Sequence, residues 1–221
     1  MAQIAQEDQN KSKSKGIVRE YAEAIIIAVI LALFIRAFVV QAFKIPSGSM
    51  KTTLLVGDHI LVNKFIYGIK LPVVDRDLVR FGNPNHGDVI VFRYPLDTSK
   101  DFIKRVIGLP GDTIQIQDKQ VFRNGQLMQE PHARHTDPRI LSAGVSPRDN
   151  FGPIVVPEHA VFVMGDNRDE SYDSRFWKFV DRSAVLGKAF VIYWSWNQDG
   201  EVTLDPEQAY VRWDRIGDFI H

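Results

Sequence analysis

Residues 88–112, "DVIVFRYPLDTSKDFIKRVIGLPGD", contain two apolar runs that are bounded by Pro, Gly and Asp. Val, Ile, Phe and Tyr dominate both runs, and these residue types favour β-strands. Short runs of the same kind occur elsewhere in the chain: "DHILVNKF", "DTIQIQ", "QVFRN", "AVFVMGD" and "KAFVIYWSW". The sequence therefore predicts a mainly β domain over residues 44–221, with antiparallel strands that form a compact barrel-like or sandwiched core.

The connections between these runs differ in length. "RNGQ" at residues 123–126 predicts a tight hairpin, because Asn-Gly accepts the positive φ angles of a two-residue turn. Residues 129–156 hold four of the eleven prolines and show little periodicity. We interpret them as a loop excursion from the sheet, to which the sequence assigns no role.

The N-terminal part differs from the rest of the chain because it contains a long apolar segment. Residues 24–35 carry no charge, and extending this run to 17–43 reaches the length that a transmembrane helix needs. A buried core helix would show a polar face, and a cleavable signal peptide would end in small residues rather than "RAFVVQAF". Because lysines precede the span, we expect residues 1–16 in the cytoplasm, a single transmembrane anchor over 17–43, and the β domain on the extracytoplasmic face.

The composition excludes several chemistries. The 221 residues include 27 basic and 27 acidic side chains, so net charge gives no reason to expect a nucleic-acid partner. The chain has no cysteine, which rules out a thiol nucleophile, a zinc–thiolate site and disulfides. "HARH" at 132–135 offers two imidazoles with Asp137 nearby, but this pair lies in the proline-rich excursion, where solvated histidines are commoner than a zinc site. We expect neither a metal nor another cofactor.

Three segments suggest nucleophilic catalysis. "IPSGSM" at 45–50 places Ser47 and Ser49 around a glycine that lets a substrate approach the backbone. Lys104 lies in an apolar run, and on a strand it shares a face with Phe102 and Val106; burial there would lower its pKa and let it act as a base. Taken alone, an ordinary turn explains Ser47 and Ser49 better than catalysis does, and an edge lysine explains Lys104 better. A third segment, "VMGDNRDESYDSRFW" at 163–177, is a solvated loop or a buried ion-pair network.

Together these segments resemble the bacterial type I signal peptidases, membrane-bound serine proteases with a Ser-Lys dyad. The resemblance runs from the apolar segment to "KAFVIYWSWN" and includes "GDHILVNKFIYG" and "HGDVIVF", all in the order of that family. It implies an endopeptidase that removes the signal peptides of secretory preproteins after an Ala-x-Ala or similar small-x-small site. It also implies anchoring in the lipid bilayer of the bacterial cytoplasmic membrane, and we expect a monomer.

The resemblance also implies residue roles. Ser49 is the nucleophile and Lys104 the general base; the Ser47 hydroxyl and the Ser49 backbone N–H form the oxyanion hole; Ser171 orients the Lys104 amine. Supporting residues are Arg105, Asp166, Asp173 and Arg175. Shallow pockets for small substrate side chains are lined by Phe43, Ile45, Met50, Leu54, Ile60, Phe102 and Ile103.

Two positions depart from the pattern of that family. Thr52 stands where a proline is usual, and Lys178 where a glycine is common. Other functions remain open at this level. A membrane-tethered β-rich binding module needs only the anchor and the strands, and a self-cleaving repressor-type protease shares the dyad but carries a DNA-binding domain where this chain has its apolar segment.

Overall fold

The computed structural model describes residues 2–70, 77–80, 82–197 and 211–221. The predicted β domain also contains residues 71–76, 81 and 198–210, which lie outside the described residues. Two compact units divide the chain, residues 1–39 and residues 40–221.

The first unit is a helix, α1, which runs over Ala2–Phe38. The apolar run at 24–35 lies within it, and its Ile25, Ile30 and Phe34 side chains are more than half exposed. In the part of the chain that the structure describes, no helix combines the length and the apolar character required to cross a membrane. The helix ends five residues before the predicted end of the anchor at Phe43, because residues 40–44 pair as a strand instead.

The second unit is mainly β, as the sequence predicts. Its described residues also form one short helix, α2 (Ser174–Trp177), and four 3₁₀ turns, at Gly48–Met50, Arg168–Glu170, Arg182–Ala184 and Trp213–Arg215. The strands are β1 (Val40–Lys44), β2 (Asp58–Asn63), β3 (Gly68–Lys70), β4 (Asp77–Arg80), β5 (Val89–Tyr94), β6 (Asp97–Gly108), β7 (Thr113–Gln117), β8 (Gln120–Arg123), β9 (Gln126–Leu127), β10 (Phe151–Val155), β11 (Ala160–Met164), β12 (Val180–Asp181) and β13 (Val185–Ser195).

A seven-stranded antiparallel sheet, in the order β1-β2-β13-β5-β6-β11-β12, forms the main layer. The sheet is open: β1 and β12 lie at opposite ends of this order and are not paired with each other among the described strands. Of the two predicted arrangements, barrel-like or sandwiched, the closed barrel is therefore wrong.

A four-stranded sheet, β10-β7-β8-β9, packs on one end of the large sheet. Ile114 and Val121 of the small sheet share a buried cluster with Phe162 of β11. The predicted hairpin at "RNGQ" is confirmed, since Asn124 and Gly125 have φ angles of 54° and 78° between β8 and β9. The prediction of a loop excursion over residues 129–156 is wrong at its end, where Phe151–Val155 form the strand β10.

Candidate active site

Strand β6 lies between β5 and β11 in the large sheet and carries two adjacent basic residues, Lys104 and Arg105, that are buried. Lys104 is 4% exposed and Arg105 is 5% exposed. As alternation along a strand predicts, Lys104 shares a face with Phe102, whose ring centroid lies 5.5 Å from Nζ. An edge lysine in water is therefore excluded, and the burial of Lys104 needs a chemical explanation.

The Lys104 amine faces the candidate nucleophile. Its Nζ donates a hydrogen bond to the Ser49 Oγ over 2.7 Å and another to the Ile103 carbonyl oxygen over 2.9 Å. Among the described residues, no carboxylate lies within 4.0 Å of this amine. Both partners are neutral, so the contacts themselves do not require a charged ammonium.

Burial lowers the pKa of Lys104 from its ordinary value of 10.5 to about 8. Removal from water is the largest cause. The Asp173 and Asp166 carboxylates oppose the shift, and the Arg175 charge lowers the pKa further. A substantial fraction of the amine is therefore neutral near pH 8 and able to accept a proton.

A short 3₁₀ turn, Gly48–Met50, presents Ser49 to the lysine. Asn167 holds this turn at two points: its backbone N–H donates to the Ser49 carbonyl oxygen over 3.1 Å, and its Nδ2 donates to the Gly48 carbonyl oxygen over 3.0 Å. Ser47 precedes the turn in an extended conformation, is exposed, and makes no capping hydrogen bond. Its hydroxyl is therefore available to a bound substrate.

Gly165 lets two segments of the site approach each other. A Cβ atom at this position would collide with the Ser171 Oγ and with the Ser49 carbonyl oxygen. Ser171 is 5% exposed, and within the described part of the chain its hydroxyl has no hydrogen-bond partner. The structure brings Ser171 into the site without a hydrogen bond to the Lys104 amine, so its predicted orienting role stays a prediction.

Arg105 has a fixed set of partners on its own side of β6. Its Nε and Nη2 donate to the two carboxylate oxygens of Asp166 over 2.8 and 2.7 Å. Thr53, four residues after Ser49, donates to Asp166 over 2.5 Å and accepts from Arg105 over 3.2 Å. This triad ties the nucleophile segment to β6 and to the loop that follows β11.

Asp173 and Arg175 form a second buried ion pair. The guanidinium Nε and Nη2 bind the two Asp173 oxygens over 2.9 and 2.8 Å. Burial alone would raise the pKa of Asp173, but the Arg175 charge and hydrogen bonds lower it. Asp173 also accepts from the Gly165 backbone N–H over 3.0 Å, so the pair fixes the loop that contacts Ser49.

The predicted pocket residues occupy two environments. Six of them belong to one apolar cluster: Phe43, Ile45, Met50, Leu54, Ile60 and Ile103. Within this group Ile45, Met50, Leu54 and Ile60 are fully buried, whereas Phe43 and Ile103 are only partly buried, so only the latter two are positioned to contact a ligand from the surface. Phe102 lies in a different cluster and stacks on Tyr94, with ring centroids 4.4 Å apart.

Two strand edges lie beside the turn that carries Ser49. β1 is the first strand of the large sheet and, among the strands that the structure describes, pairs on one side only, with β2. β11 pairs with β6 from Arg105 onward, which leaves residues 97–104 of β6 without a partner on that side among the described strands. Open edges of this kind accept an extended peptide through backbone hydrogen bonds.

The zinc interpretation of "HARH" gains no support. Asp137, the proposed third ligand, binds Arg139 and Arg148 through its carboxylate oxygens. Over the described residues, no three metal-ligating side chains form a group that would hold an ion.

Three residues that hold the site together were not singled out from the sequence, namely Thr53, Gly165 and Asn167. Gly165 and Asn167 lie in "MGDN", at the end of the fully buried strand β11. This position at the end of an apolar strand was the sequence feature that could have identified them as site residues. Thr53 carries no comparable signal, because one threonine in "MKTTLL" is not distinguishable from its neighbour without the fold.

A serine hydroxyl in contact with a buried amine of lowered pKa is the geometry of a nucleophile and its base, which defines a candidate serine hydrolase. The signal peptidase (peptidase S26) family matches residues 18–194 of the chain. The chain belongs to this family, and it is a serine peptidase.

Individual relatives agree with the family assignment. The chain is 38% identical to the signal peptidase I of Pseudomonas fluorescens over 84% of this chain and 76% of that protein. It is also 38% identical to the signal peptidase I of Leptolyngbya laminosa over 93% of both chains. A crystal structure of a signal peptidase I from Enterococcus faecalis aligns with 49% of this chain and 97% of its own, at 29% identity and a TM-score of 0.39.

The two departures from the family pattern lie outside the contacts between Ser49 and Lys104. Thr52 is exposed. Lys178 ends α2 with a φ of 75°, a conformation that glycine adopts without strain and that a lysine adopts at a cost. The Lys178 departure therefore affects the backbone after the Asp173–Arg175 pair and leaves the reacting atoms unchanged.

Proposed function

We propose that the chain is a type I signal peptidase that cleaves secretory preproteins after a small-x-small site with Ser49 as nucleophile and Lys104 as general base. The 2.7 Å contact between Lys104 Nζ and Ser49 Oγ in a chain of this family is the observation that carries the proposal. Family membership with this contact argues against a binding module without chemistry. It also argues against the repressor-type alternative.

The reaction begins with neutral Lys104. Its amine takes the Ser49 proton as Oγ attacks the scissile carbonyl carbon, and the negative charge develops on the carbonyl oxygen. The Ser49 backbone N–H and the Ser47 hydroxyl donate to that oxyanion. The Lys104 ammonium then protonates the leaving amine, and the acyl ester remains on Ser49.

Hydrolysis of the ester reverses the roles. Lys104, again neutral, takes a proton from a water that attacks the ester carbonyl, and Ser49 leaves with a proton returned by the ammonium. Both halves require a base that is neutral at working pH, and the pKa of Lys104, lowered by burial to about 8, supports that requirement. Ser171, which lies in the site with a free hydroxyl, orients the amine once substrate excludes water.

The surrounding ion pairs serve as fixed supports. Arg105 and Asp166 hold Thr53, and Asp173 and Arg175 hold Gly165, so both pairs act on segments that touch the Ser49 turn. Their role is to maintain the distance between Oγ and Nζ, because small displacements of reacting groups lower rates strongly.

The substrate is an extended segment that adds to the free edges of β1 and of residues 97–104 in β6. Phe43 and Ile103 offer partly exposed apolar surface over a fully buried floor that includes Met50 and Leu54. A filled floor leaves shallow depressions, and shallow depressions accept alanine but reject large side chains. This arrangement supports an Ala-x-Ala preference.

The chain acts as a monomer at the bacterial cytoplasmic (inner) membrane. The apolar side chains that α1 exposes along 24–35 support a single membrane anchor, for which a lipid bilayer is the matching environment. Lysines precede this segment in the sequence, so the N-terminus lies in the cytoplasm and the catalytic domain on the extracytoplasmic face.

The test is cleavage of a purified preprotein with an Ala-x-Ala site by the full chain in detergent. Wild type should release a product whose new N-terminus follows the last alanine, and Ser49→Ala should release none. Ser142→Ala removes an exposed serine hydroxyl in the loop excursion and should cut like wild type. Cleavage by folded Ser49→Ala at the wild-type rate would contradict the assigned nucleophile, and cleavage at another bond would contradict the specificity.

A further inference from the structure

A cavity lies against residues 105–107 of β6, on the strand that carries Lys104, but neither Lys104 nor Ser49 lines it. Its volume is about 450 Å³, within the range of sites that bind small molecules. The other walls are residues 86–89, 128–133 and 220–221, with the side chains of Arg123, Arg168 and Lys188. The start of the loop excursion thus forms one wall.

Each Asp and Glu side chain that lines the cavity is paired with a lining cation. Lys188 Nζ lies 2.6 Å from Asp88. Arg168 binds both carboxylate oxygens of Glu130 over 2.6 and 2.8 Å. Neither acidic side chain is therefore left to neutralise a further positive charge in the cavity.

Arg105 is also fully engaged. Its Nη1 donates to the Gly87 carbonyl oxygen over 2.9 Å and to a main-chain oxygen of His221 over 2.7 Å, and its other nitrogens bind Asp166 and Thr53. Asp166 neutralises this guanidinium, which has no hydrogen bond left for a ligand.

Arg123 differs from these three cations. Its hydrogen bond in the described part of the chain is a long one, 3.4 Å from Nη1 to the Ile107 carbonyl oxygen, and no described carboxylate lies within 4.0 Å of it. Among the described residues, the other N–H groups of its planar guanidinium have no hydrogen-bond partner. A free guanidinium fork pairs well with the two oxygens of a phosphate or a carboxylate.

Histidines also line the cavity. His86 lies at one wall, where its Nε2 contacts Asp112, and His132 and His221 lie at two others. Burial, and to a smaller extent the nearby Arg105 charge, lowers the pKa of His132, which favours its neutral form. Arg123, rather than a histidine, therefore supplies the positive charge for a ligand.

The remaining lining is apolar apart from Gln129. Ile107 is 2% exposed, Ile220 is 6% exposed, and Met128 packs against the apolar cluster that contains Ile107. A cavity with one free guanidinium and apolar walls matches an amphipathic organic anion better than an inorganic ion, because an inorganic ion would fill only a small part of the volume.

We propose that this cavity is a binding site for a small organic anion whose phosphate or carboxylate group pairs with Arg123 and whose apolar part contacts Ile107, Met128 and Ile220. A soluble phosphate ester and an anionic lipid headgroup share this chemistry.

Binding has a route to the active site. Arg134, one residue beyond the cavity wall, donates from its backbone N–H to the Asp166 carbonyl oxygen over 2.7 Å, and its own carbonyl oxygen accepts from Arg168 N–H over 2.9 Å. An anion that fixes residues 128–133 therefore also stabilises the loop that holds Ser49 through Asn167. We expect a bound anion to raise the unfolding temperature of the protein.

The experiment is a calorimetric titration of the full chain in detergent with phenyl phosphate, using phenol as the neutral control. Wild type should bind phenyl phosphate at one site, and phenol should show no saturable binding. Arg123→Gln should weaken binding by at least about tenfold, the difference that one charge-assisted bidentate contact makes. Arg139→Gln removes an exposed arginine that pairs with Asp137 and should bind like wild type.

A second variant tests the cavity independently of charge. Ala133 lines the excursion wall, and Ala133→Phe should fill the cavity and abolish binding while Arg123 is retained. Thermal unfolding checks that each variant is folded. The proposal is overturned if wild type shows no saturable binding of phenyl phosphate, or if folded Arg123→Gln binds with wild-type affinity.

Nanodiscs distinguish the two sources of the anion. If phosphatidylglycerol nanodiscs abolish phenyl phosphate binding and phosphatidylcholine nanodiscs do not, a lipid headgroup occupies the cavity. If binding persists in both, the natural ligand is a soluble anion. Both results support the site and differ only in what fills it.

Discussion

Lys104 and Arg105 are adjacent cations on one strand, equally buried, yet they have opposite surroundings. Arg105 binds the Asp166 carboxylate through Nε and Nη2, and Nη2 also donates to Thr53. Its Nη1 donates to main-chain oxygens of Gly87 and His221. Lys104 has a serine hydroxyl and one carbonyl oxygen, and no carboxylate within 4.0 Å among the described residues.

The difference shows how one fold places a structural charge beside a reactive amine. Arginine stays protonated in proteins, so its burial requires an ion pair, and Asp166 provides one. Lysine can lose its proton, so burial without an ion pair lowers its pKa and makes it a base. The counter-charge, rather than burial alone, separates the two roles.

Replacing Lys104 by arginine, which stays protonated, should have the largest effect on turnover. Lys104→Arg keeps a positive charge but removes the group that can deprotonate, so turnover should fall by at least about 10⁴-fold, as when a member of a nucleophile–base pair is lost. Single-turnover cleavage of a preprotein measures this, with Lys104→Met as the neutral comparison. Appreciable activity in Lys104→Arg would mean that Lys104 acts through its charge and not as a base.

Removing the counter-charge should chiefly affect stability. Asp166→Asn leaves the Arg105 guanidinium buried without a carboxylate, which costs about 3–5 kcal/mol of unfolding free energy. Urea unfolding of the full chain in detergent measures the loss. Asp97→Asn breaks an exposed pair with Lys100 and should change stability little. A loss for Asp166→Asn no larger than for this control would remove the structural role assigned to Arg105.

The exposed Ser47 hydroxyl should matter only during the reaction. Ser47→Ala is expected to lower kcat by about 10²–10³-fold, the usual contribution of one oxyanion donor, with no change in unfolding free energy. A kcat equal to that of wild type would place the second donor elsewhere. A lower stability would instead indicate that Ser47 supports the turn.

The smallest expected effect is a change in unfolding free energy when Lys104 is replaced by methionine. Because the folded pKa of Lys104 is about 8 and the unfolded value is 10.5, the unfolded chain binds more protons between these values, and stability rises with pH in that window. At pH 7 the penalty is fully present, so Lys104→Met should stabilise the fold by roughly 1–3 kcal/mol. The gain should vanish above about pH 10.5. If Lys104→Met has a lower unfolding free energy than wild type at pH 7, burial of the Lys104 amine does not cost stability, and this prediction is wrong.

Much of this organisation is predictable from the sequence. Short runs rich in Val, Ile, Phe and Tyr identified β2, β5, β6, β7, β8, β11 and β13, and Asn-Gly located the β8–β9 turn. The alternation of side chains along a strand placed Lys104 on the Phe102 face.

What the sequence missed depends on long-range pairing. Residues 39–43 are apolar apart from Gln41, and their sequence is compatible with a helix or a strand. Pairing with β2 makes residues 40–43 part of a strand. β10 contains Gly152 and Pro153, which argue against a strand, but a shift in register between Phe151 and Ile154 accommodates them. Thr53 is identified only when the fold brings it to Asp166.

The most direct test of the account is the titration of the Lys104 amine itself. In protein labelled with ¹³C-lysine, the Lys104 signal, assigned by its loss in Lys104→Met, is followed with pH alongside kcat/KM for preprotein cleavage. We expect both midpoints at about 8, where the pKa of the buried amine lies, with activity falling about tenfold per pH unit below it. A Lys104 signal that titrates near its ordinary value of 10.5, or activity that is constant from about pH 5 to 9, would contradict a lysine base.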